Sequence, residues 1–334
     1  MTGMRARCVT DEIACDPDVK SVARFEARGN AYGVTAVRMH DDEVPVGVEL
    51  VARLIADQYP HWGDLALRPV EPRGTDNAIW RLGEDLVVRL PRIAWAKEQP
   101  AKEAKWLPVL ALHLPVAIPE PVALGRPGSG YPFAWSVHRW LPGERASPNT
   151  IGDRSAFADS MIDVIHGLGD APTDGAPPSH NRARALAEYD ESARQAISSA
   201  AELIDAEMAL EVWEAGVAAE PYAGSLRWVH GDLEGNCLVL DGHLSGLVDW
   251  GSACVGDPAV DVQVAWSPLF TDESRARFLE RLNPGQAAIE RAKAMAIQQA
   301  CAALPYYLDT YPVMVERSWH KLAALGVPSK IERL

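Results

Sequence analysis

His230-Gly231-Asp232 is followed by Asn236, and Asp249-Trp250-Gly251 begins nineteen residues after the histidine. Two carboxylates and an amide are thus held on short segments between apolar runs. One carboxylate in such a set can orient an alcohol and take its proton. The other, with the amide oxygen, can hold a hard divalent cation such as Mg²⁺. Placement and charge neutralisation of this kind are what phosphoryl transfer from a Mg-nucleotide requires, since the protein does little covalent chemistry there. Asp232 is the candidate for the first role, and Asn236 with Asp249 for the second. Either tripeptide alone is an ordinary turn, because Gly and Asp are common turn formers. The stretch between them adds weight. Cys237–Leu240 reads as a strand, Asp241-Gly242 as a tight turn and Leu244–Val248 as a returning strand. That hairpin would bring Asn236 and Asp249 back to the same end.

With Gly256-Asp257-Pro258-Ala259-Val260-Asp261 added, the segment Trp228–Trp266 closely resembles the catalytic core of the aminoglycoside phosphotransferase family. These are antibiotic kinases related in fold to protein kinases. The resemblance implies an α+β, two-lobed, kinase-like fold with a small antiparallel-sheet N-lobe (39–140) and a larger, mainly helical C-lobe (141–334). It implies Asp232 as catalytic residue, Asn236 and Asp249 as metal ligands, and His230 as a brace for the loop. Asp257 and Asp261 would cap and tether the next helix. Two departures stand out. The family usually places its asparagine five residues after the aspartate, and here the interval is four, so either Gly235 lets a shortened loop tighten or Asn236 does not ligate metal in the family's way. The family's strand lysine is replaced by Arg89. An arginine fork can serve both phosphate and an anchoring carboxylate, and Glu103, with Glu98 as its competitor, is the expected anchor.

The upstream elements can be placed around this core. Val48–Tyr59 has an apolar face at helical spacing, and Leu65–Pro72 reads as a strand. Gly74 and Thr75 lie in a turn with exposed backbone amides, where the resemblance puts the nucleotide phosphates. Ala78–Leu82 and Leu86–Leu90 form a hairpin, Glu98–Leu112 a helix, and Ala134–Trp140 a strand leading to a hinge. There the backbone around Arg139 and Leu141 would meet the nucleotide base. Pro119-Glu120-Pro121 reads as a turn, Ala156–Leu168 as a helix, and Ala287–Leu304 as a final strong helix ending before Pro305.

Composition narrows the class. The 334 residues suit one large or two medium domains, and 48% are hydrophobic. No apolar run reaches the roughly 20 residues of a membrane span, and no apolar stretch follows Arg5 and Arg7 as in a signal peptide. The five cysteines are odd in number and form no C-x-x-C pair, which fits reduced thiols in a cytoplasm. A net charge of −14 argues against nucleic acid as a partner. Residues 1–38 lack periodicity and read as a loosely attached extension, with Met39 a candidate start.

The expected activity is transfer of the γ-phosphoryl of ATP or GTP, with Mg²⁺, to a small-molecule hydroxyl by a monomer. Nine acids and one base, Arg194, lie between Glu188 and Glu220. This suggests a cationic acceptor such as an aminoglycoside, with Glu188, Asp190 and Asp309 as candidate contacts. The alternatives are a metabolic kinase for a sugar or amino alcohol, and a nucleotide-binding pseudokinase.

Overall fold

A computed structural model describes residues 43–71, 74–179 and 182–331. The chain divides into Met1–Val37 and Arg38–Leu334, and every described residue belongs to the second unit. The expectation for residues 1–38 lies outside the described residues.

The chain opens with helix α1 (Val48–Gln58), which buries Val51, Leu54 and Ile55, an i, i+3, i+4 stripe. Strands β1 (Leu67–Pro69), β2 (Asn77–Leu82) and β3 (Leu86–Pro91) follow, then helix α2 (Gln99–Leu110) and strands β4 (Pro121–Gly125) and β5 (Trp135–Arg139). The five strands form one antiparallel sheet in the order β1-β2-β3-β5-β4. Pro119-Glu120-Pro121 is therefore partly strand. Pro121 is tolerated because it opens a strand at the sheet's edge, where its missing N–H breaks no ladder. Val51, Leu54, Ile55, Val88, Leu90, Trp135 and Val137 share one small core.

After β6 (Glu144–Arg145) the chain becomes mainly helical. Helix α3 (Arg154–Asp170) starts on Asp153, whose carboxylate accepts the backbone N–H of Ser155 and Ala156. Helices α4 (Asp190–Ser199) and α5 (Ala206–Ala218) precede strands β7 (Arg227–Val229), β8 (Cys237–Leu240), β9 (His243–Leu247) and β10 (Cys254–Gly256). The short α6 (Ala259–Val262), α7 (Asp272–Leu282), α8 (Gln286–Tyr307) and α9 (Pro312–Ala324) complete the chain. Gly216 lets α5 approach α8 closely, since a Cβ there would lie 2.8 Å from the Glu290 carbonyl. Helix α8 runs through Pro305 and is not the last helix. In its final turn a proline removes a single intrahelical bond, and α9 then begins with Pro312 in its first turn.

The larger core takes Trp106, Leu107 and Leu110 from α2, together with Trp228, Trp250 and Trp266. Helix α2 therefore joins the sheet region to the helical region, with the Trp106 and Trp228 rings 5.0 Å apart. No described helix is long and apolar enough to cross a membrane. Cys237, Cys254 and Cys301 are buried free thiols.

Candidate active site

The predicted hairpin is β8–β9, paired from Cys237 against Leu247 to Leu240 against His243. Its turn, Asp241-Gly242, has positive φ at both residues (52° and 83°), the pattern of a type I′ turn. Beyond its open end the Val248 N–H donates to the Asn236 carbonyl at 2.9 Å. Asn236 and Asp249 are thereby returned to one place.

The loop from His230 to Asn236 is fixed from several sides. The buried Asp261 accepts the backbone N–H of His230 (2.7 Å) and Gly231 (2.8 Å). Burial pushes its carboxyl up to about 7, against the pull of those two bonds. Asp261 thus holds this loop rather than capping its own helix. Asp257 does cap, accepting from Ala259 N–H at 3.0 Å, and it forms a buried pair with Arg291 at 2.6 Å. The His230 Nε2–H donates to the Val248 carbonyl at 3.0 Å, and Nδ1 accepts the Asp232 N–H at 3.3 Å. Burial lowers the pKa of this imidazole, which fits a neutral brace. The Asp232 carboxylate accepts no hydrogen bond from a described residue, so it remains open to a ligand.

Loop shortening takes a specific form. The Asn236 N–H bonds the Leu233 carbonyl at 3.1 Å, and its Nδ2 donates to the Asp232 carbonyl at 2.8 Å. Gly235 does not have positive φ, so left-handed freedom is not its contribution. A Cβ on Gly235 would instead lie 2.8 Å from Nη1 of Arg317, so its missing side chain makes room for that guanidinium.

Asp249 has a left-handed backbone (φ 58°), uncommon for a non-glycine residue and typical of constrained functional turns. Arg89, on β3 opposite Ile79 and Ser136, donates from Nη2 to Asp249 Oδ1 at 2.9 Å. Its Nη1 lies 3.2 Å from Glu103 Oε1. Glu103, not Glu98, is the partner. Burial alone would raise the Asp249 carboxyl, but Arg89 beside it holds it below its ordinary value. Burial raises Glu103, against the opposing pull of Arg89. His138, wholly buried 3.8 Å from Glu103, is held down to about 3 by burial and by the Arg89 charge.

Four further groups surround the site without having been singled out from sequence. Lys102 donates to the carbonyls of Gly251 and Ala253, tying α2 to the Asp249 turn. Asp76 sits close enough to Asp249 that burial and that second charge both raise its carboxyl. Thr75, Trp95 and Gln99 donate to Asp76. Tyr307, at the end of α8, is pushed up to about 12, mainly by burial, with the Asp76 and Asp232 charges among the smaller causes. Arg317 is the fourth. Lys102 and Asp76 adjoin residues singled out for other roles, Tyr307 and Arg317 lie far along the chain, and only the fold brings the four together.

The remaining expected residues divide. Gly74 and Thr75 lie in the turn before β2, and a Cβ on Gly74 would approach the Asn77 carbonyl at 2.7 Å. The Arg139 N–H is already given to the Glu120 carbonyl, and Trp140 N–H to Asp85. Leu141, next in line, makes no backbone hydrogen bond to a described residue. Glu188 is paired with Arg184, and Asp190 accepts from Arg194 (3.0 Å) and from the Trp213 indole (2.8 Å). These two carboxylates have protein partners. Asp309 is exposed just beyond Tyr307.

For Mg²⁺ the donor set fits. Asp249 is held ionised, and the Asn236 amide, with its nitrogen turned to Asp232, can present its oxygen. Among the described residues no cluster of three or more His, Cys, Asp or Glu forms a metal cage. A Mg²⁺ shared with nucleotide phosphates needs only one or two protein ligands.

An antiparallel sheet followed by a helical region, with a carboxylate loop and a carboxylate turn beside a buried strand cation, defines the class of kinase-like phosphotransferases. The family model described as "Phosphotransferase enzyme family" matches residues 67–296, and the chain belongs to that family. It is 31% identical over 125 residues to the uncharacterized protein YcbJ of Bacillus subtilis (strain 168). The match covers 36% of this chain and 40% of that relative, so about two-fifths of the relative's length is spanned. The fold is similar to that of a GDP complex of an aminoglycoside 2'-phosphotransferase-IIIa mutant (TM-score 0.66, 18% identity, 83% of this chain and 96% of that one). It is also similar to macrolide 2'-phosphotransferase MphH from Brachybacterium faecium (TM-score 0.56, 24% identity, 83% and 97%).

Proposed function

We propose that the protein transfers the γ-phosphoryl group of ATP or GTP to a hydroxyl of a small molecule. One observation carries this reading. The Asp232 carboxylate is open while its loop is fixed by His230, Asp261 and Asn236, and Val248, next to Asp249, is tied to that loop through Asn236 and His230. Asp232 orients the acceptor hydroxyl and takes its proton. Asn236 and Asp249 hold Mg²⁺, which when bound neutralises phosphate charge. Arg89 positions phosphate from the buried side, with Glu103 holding its fork, and the Gly74–Thr75 turn covers the phosphates. Leu141 offers its backbone to the base edge. Family membership and the nucleotide-bound neighbours support nucleotide use. Glu188 and Asp190 already have protein partners, so they do not argue for an aminoglycoside acceptor.

A second reading has its own observation. Arg89 occupies an oxygen of Asp249, as it would in a protein that binds nucleotide without turnover. A coupled assay for ADP or GDP release separates the two. The panel would hold kanamycin, erythromycin, an amino alcohol, and sugars in acid and neutral form. Mg-dependent release with any acceptor, lost in Asp232→Asn, supports transfer. Tight Mg-nucleotide binding with no release across the panel supports the second reading.

A further inference from the structure

We infer that Arg317 and Arg145 form an anion subsite beside the shortened loop, and that the acceptor carries an acidic group, carboxylate or phosphate ester, near its reactive hydroxyl. This rests on the phosphoryl-transfer reading.

Both arginines converge on one residue. Arg317, half-buried on α9, places Nη1 where a Cβ of Gly235 would lie 2.8 Å away. Arg145, exposed on β6, donates from Nη1 to the Gly235 carbonyl at 3.5 Å. Gly235 lies between Asp232 and Asn236, so the two cations stand against the loop that carries both residues. A nearby cation on the same helix is matched. Lys321, one turn further along α9, pairs with Glu234 of the same loop at 2.7 Å. Arg317 has neither a carboxylate nor a carbonyl partner among the described residues, in a chain of net charge −14. A guanidinium offers a planar fork suited to two oxygens of an anion, and in such an acidic chain an unpaired one beside a candidate catalytic loop calls for a ligand. A polycationic acceptor would meet repulsion from these two guanidiniums, and Glu188 and Asp190, which might have drawn it, are turned to Arg184, Arg194 and Trp213. The anion can in principle be the acceptor's own or the transferring phosphoryl, and the test separates them.

Isothermal titration would follow inorganic phosphate binding to protein loaded with Mg²⁺ and a non-hydrolysable ATP or GTP analogue, which fills the phosphoryl position. Saturable phosphate binding is expected, weakened about tenfold or more in Arg317→Gln, less in Arg317→Lys, and unaffected by spermine. Equal thermal midpoints would show that the variants fold. The inference is overturned if loaded protein binds no phosphate, or if Arg317→Gln binds it equally well. It is also overturned if phosphate binds only free protein and is expelled on loading, which would assign Arg317 to the transferring group. Failure of the Mg-nucleotide to bind would sink the phosphoryl-transfer reading instead. The Arg317→Gln comparison on free protein would then still decide whether the subsite exists.

Discussion

Two arginines flank the loop that holds Asp232, and they are built in opposite ways. Arg89 is buried and shared between two carboxylates, Glu103 at 3.2 Å and Asp249 at 2.9 Å. Arg317 is half-buried and has no such partner among the described residues. Removing a partner from a buried pair leaves an uncompensated charge, whereas an unpaired cation at the surface contributes little to folding. The first side is therefore a preformed frame that fixes the Asp249 turn to α2. The second is a place prepared for something the chain does not itself supply.

The sharpest break would come from Asp232 itself. Asp232→Asn is expected to keep fold and nucleotide binding and to lower kcat by about 10²–10⁴, the usual contribution of a general base. Near wild-type turnover would remove Asp232 from the chemistry and leave the two arginines with nothing to flank. The next effect concerns the frame. Arg89→Ala should destabilise the protein by about 3–5 kcal/mol, read as a lower denaturation midpoint, because Glu103 and Asp249 lose their common cation. Arg317→Gln should leave that midpoint almost unchanged. If both variants were equally destabilised, the contrast between frame and subsite would fail.

Much of the frame was legible because it is local or follows a motif. The turn residues Asp241-Gly242 announced the β8–β9 hairpin, and the hairpin's length fixed where Asp249 returns. Glu103 could be separated from Glu98 only in three dimensions, since both lie within one helical turn or so of α2's start. The open side was not legible. Arg317 is 82 residues beyond Gly235, and nothing in its sequence surroundings marks it as different from Lys321, which the fold neutralises with Glu234. Gly235 reads in the sequence as the residue that lets the loop tighten, and only packing shows that it yields space to Arg317. Asp76 lay in plain view inside the Gly74–Asn77 turn, but its opposition to Asp249 depends on how the sheet meets the helical region.

A titration sharpens the frame further. His138 lies 3.8 Å from Glu103, and burial, with the Arg89 charge adding to it, lowers its pKa from 6.5 to about 3. Above pH 6.5 the histidine is neutral whether folded or unfolded, so it adds no pH dependence. Below 6.5 the unfolded chain takes up a proton that the folded chain refuses, so stability falls with pH until about 3. The slope approaches about 1.4 kcal/mol per pH unit, or roughly 2 kcal/mol in all by pH 5. His138→Gln should lose stability less steeply than the wild type over pH 6.5–5 in parallel denaturant titrations. Identical slopes would mean that Glu103 supports a charged imidazole, and that the frame tolerates one more cation than its geometry suggests.

The smallest expected effect concerns the acids that first suggested a cationic acceptor. Asp190 lies four residues before Arg194 on α4, a spacing that pairs side chains along a helix, and the Trp213 indole holds its carboxyl below the ordinary value, with Arg194 adding to this. Glu188 is paired with Arg184, which precedes its short 3₁₀ turn. A carboxylate already satisfied within the protein has little left to offer a ligand. Glu188→Gln and Asp190→Asn should therefore leave the acceptor KM within about threefold of wild type, with kcat unchanged, because neither interaction alters between ground and transition state. Arg317→Gln should raise the same KM more than either. If the acid variants instead raised KM steeply and in a salt-dependent way, the acceptor would be bound through cations on the α4–α5 side. Arg317 would then be a bystander, and the two flanks of the loop would differ in stability alone.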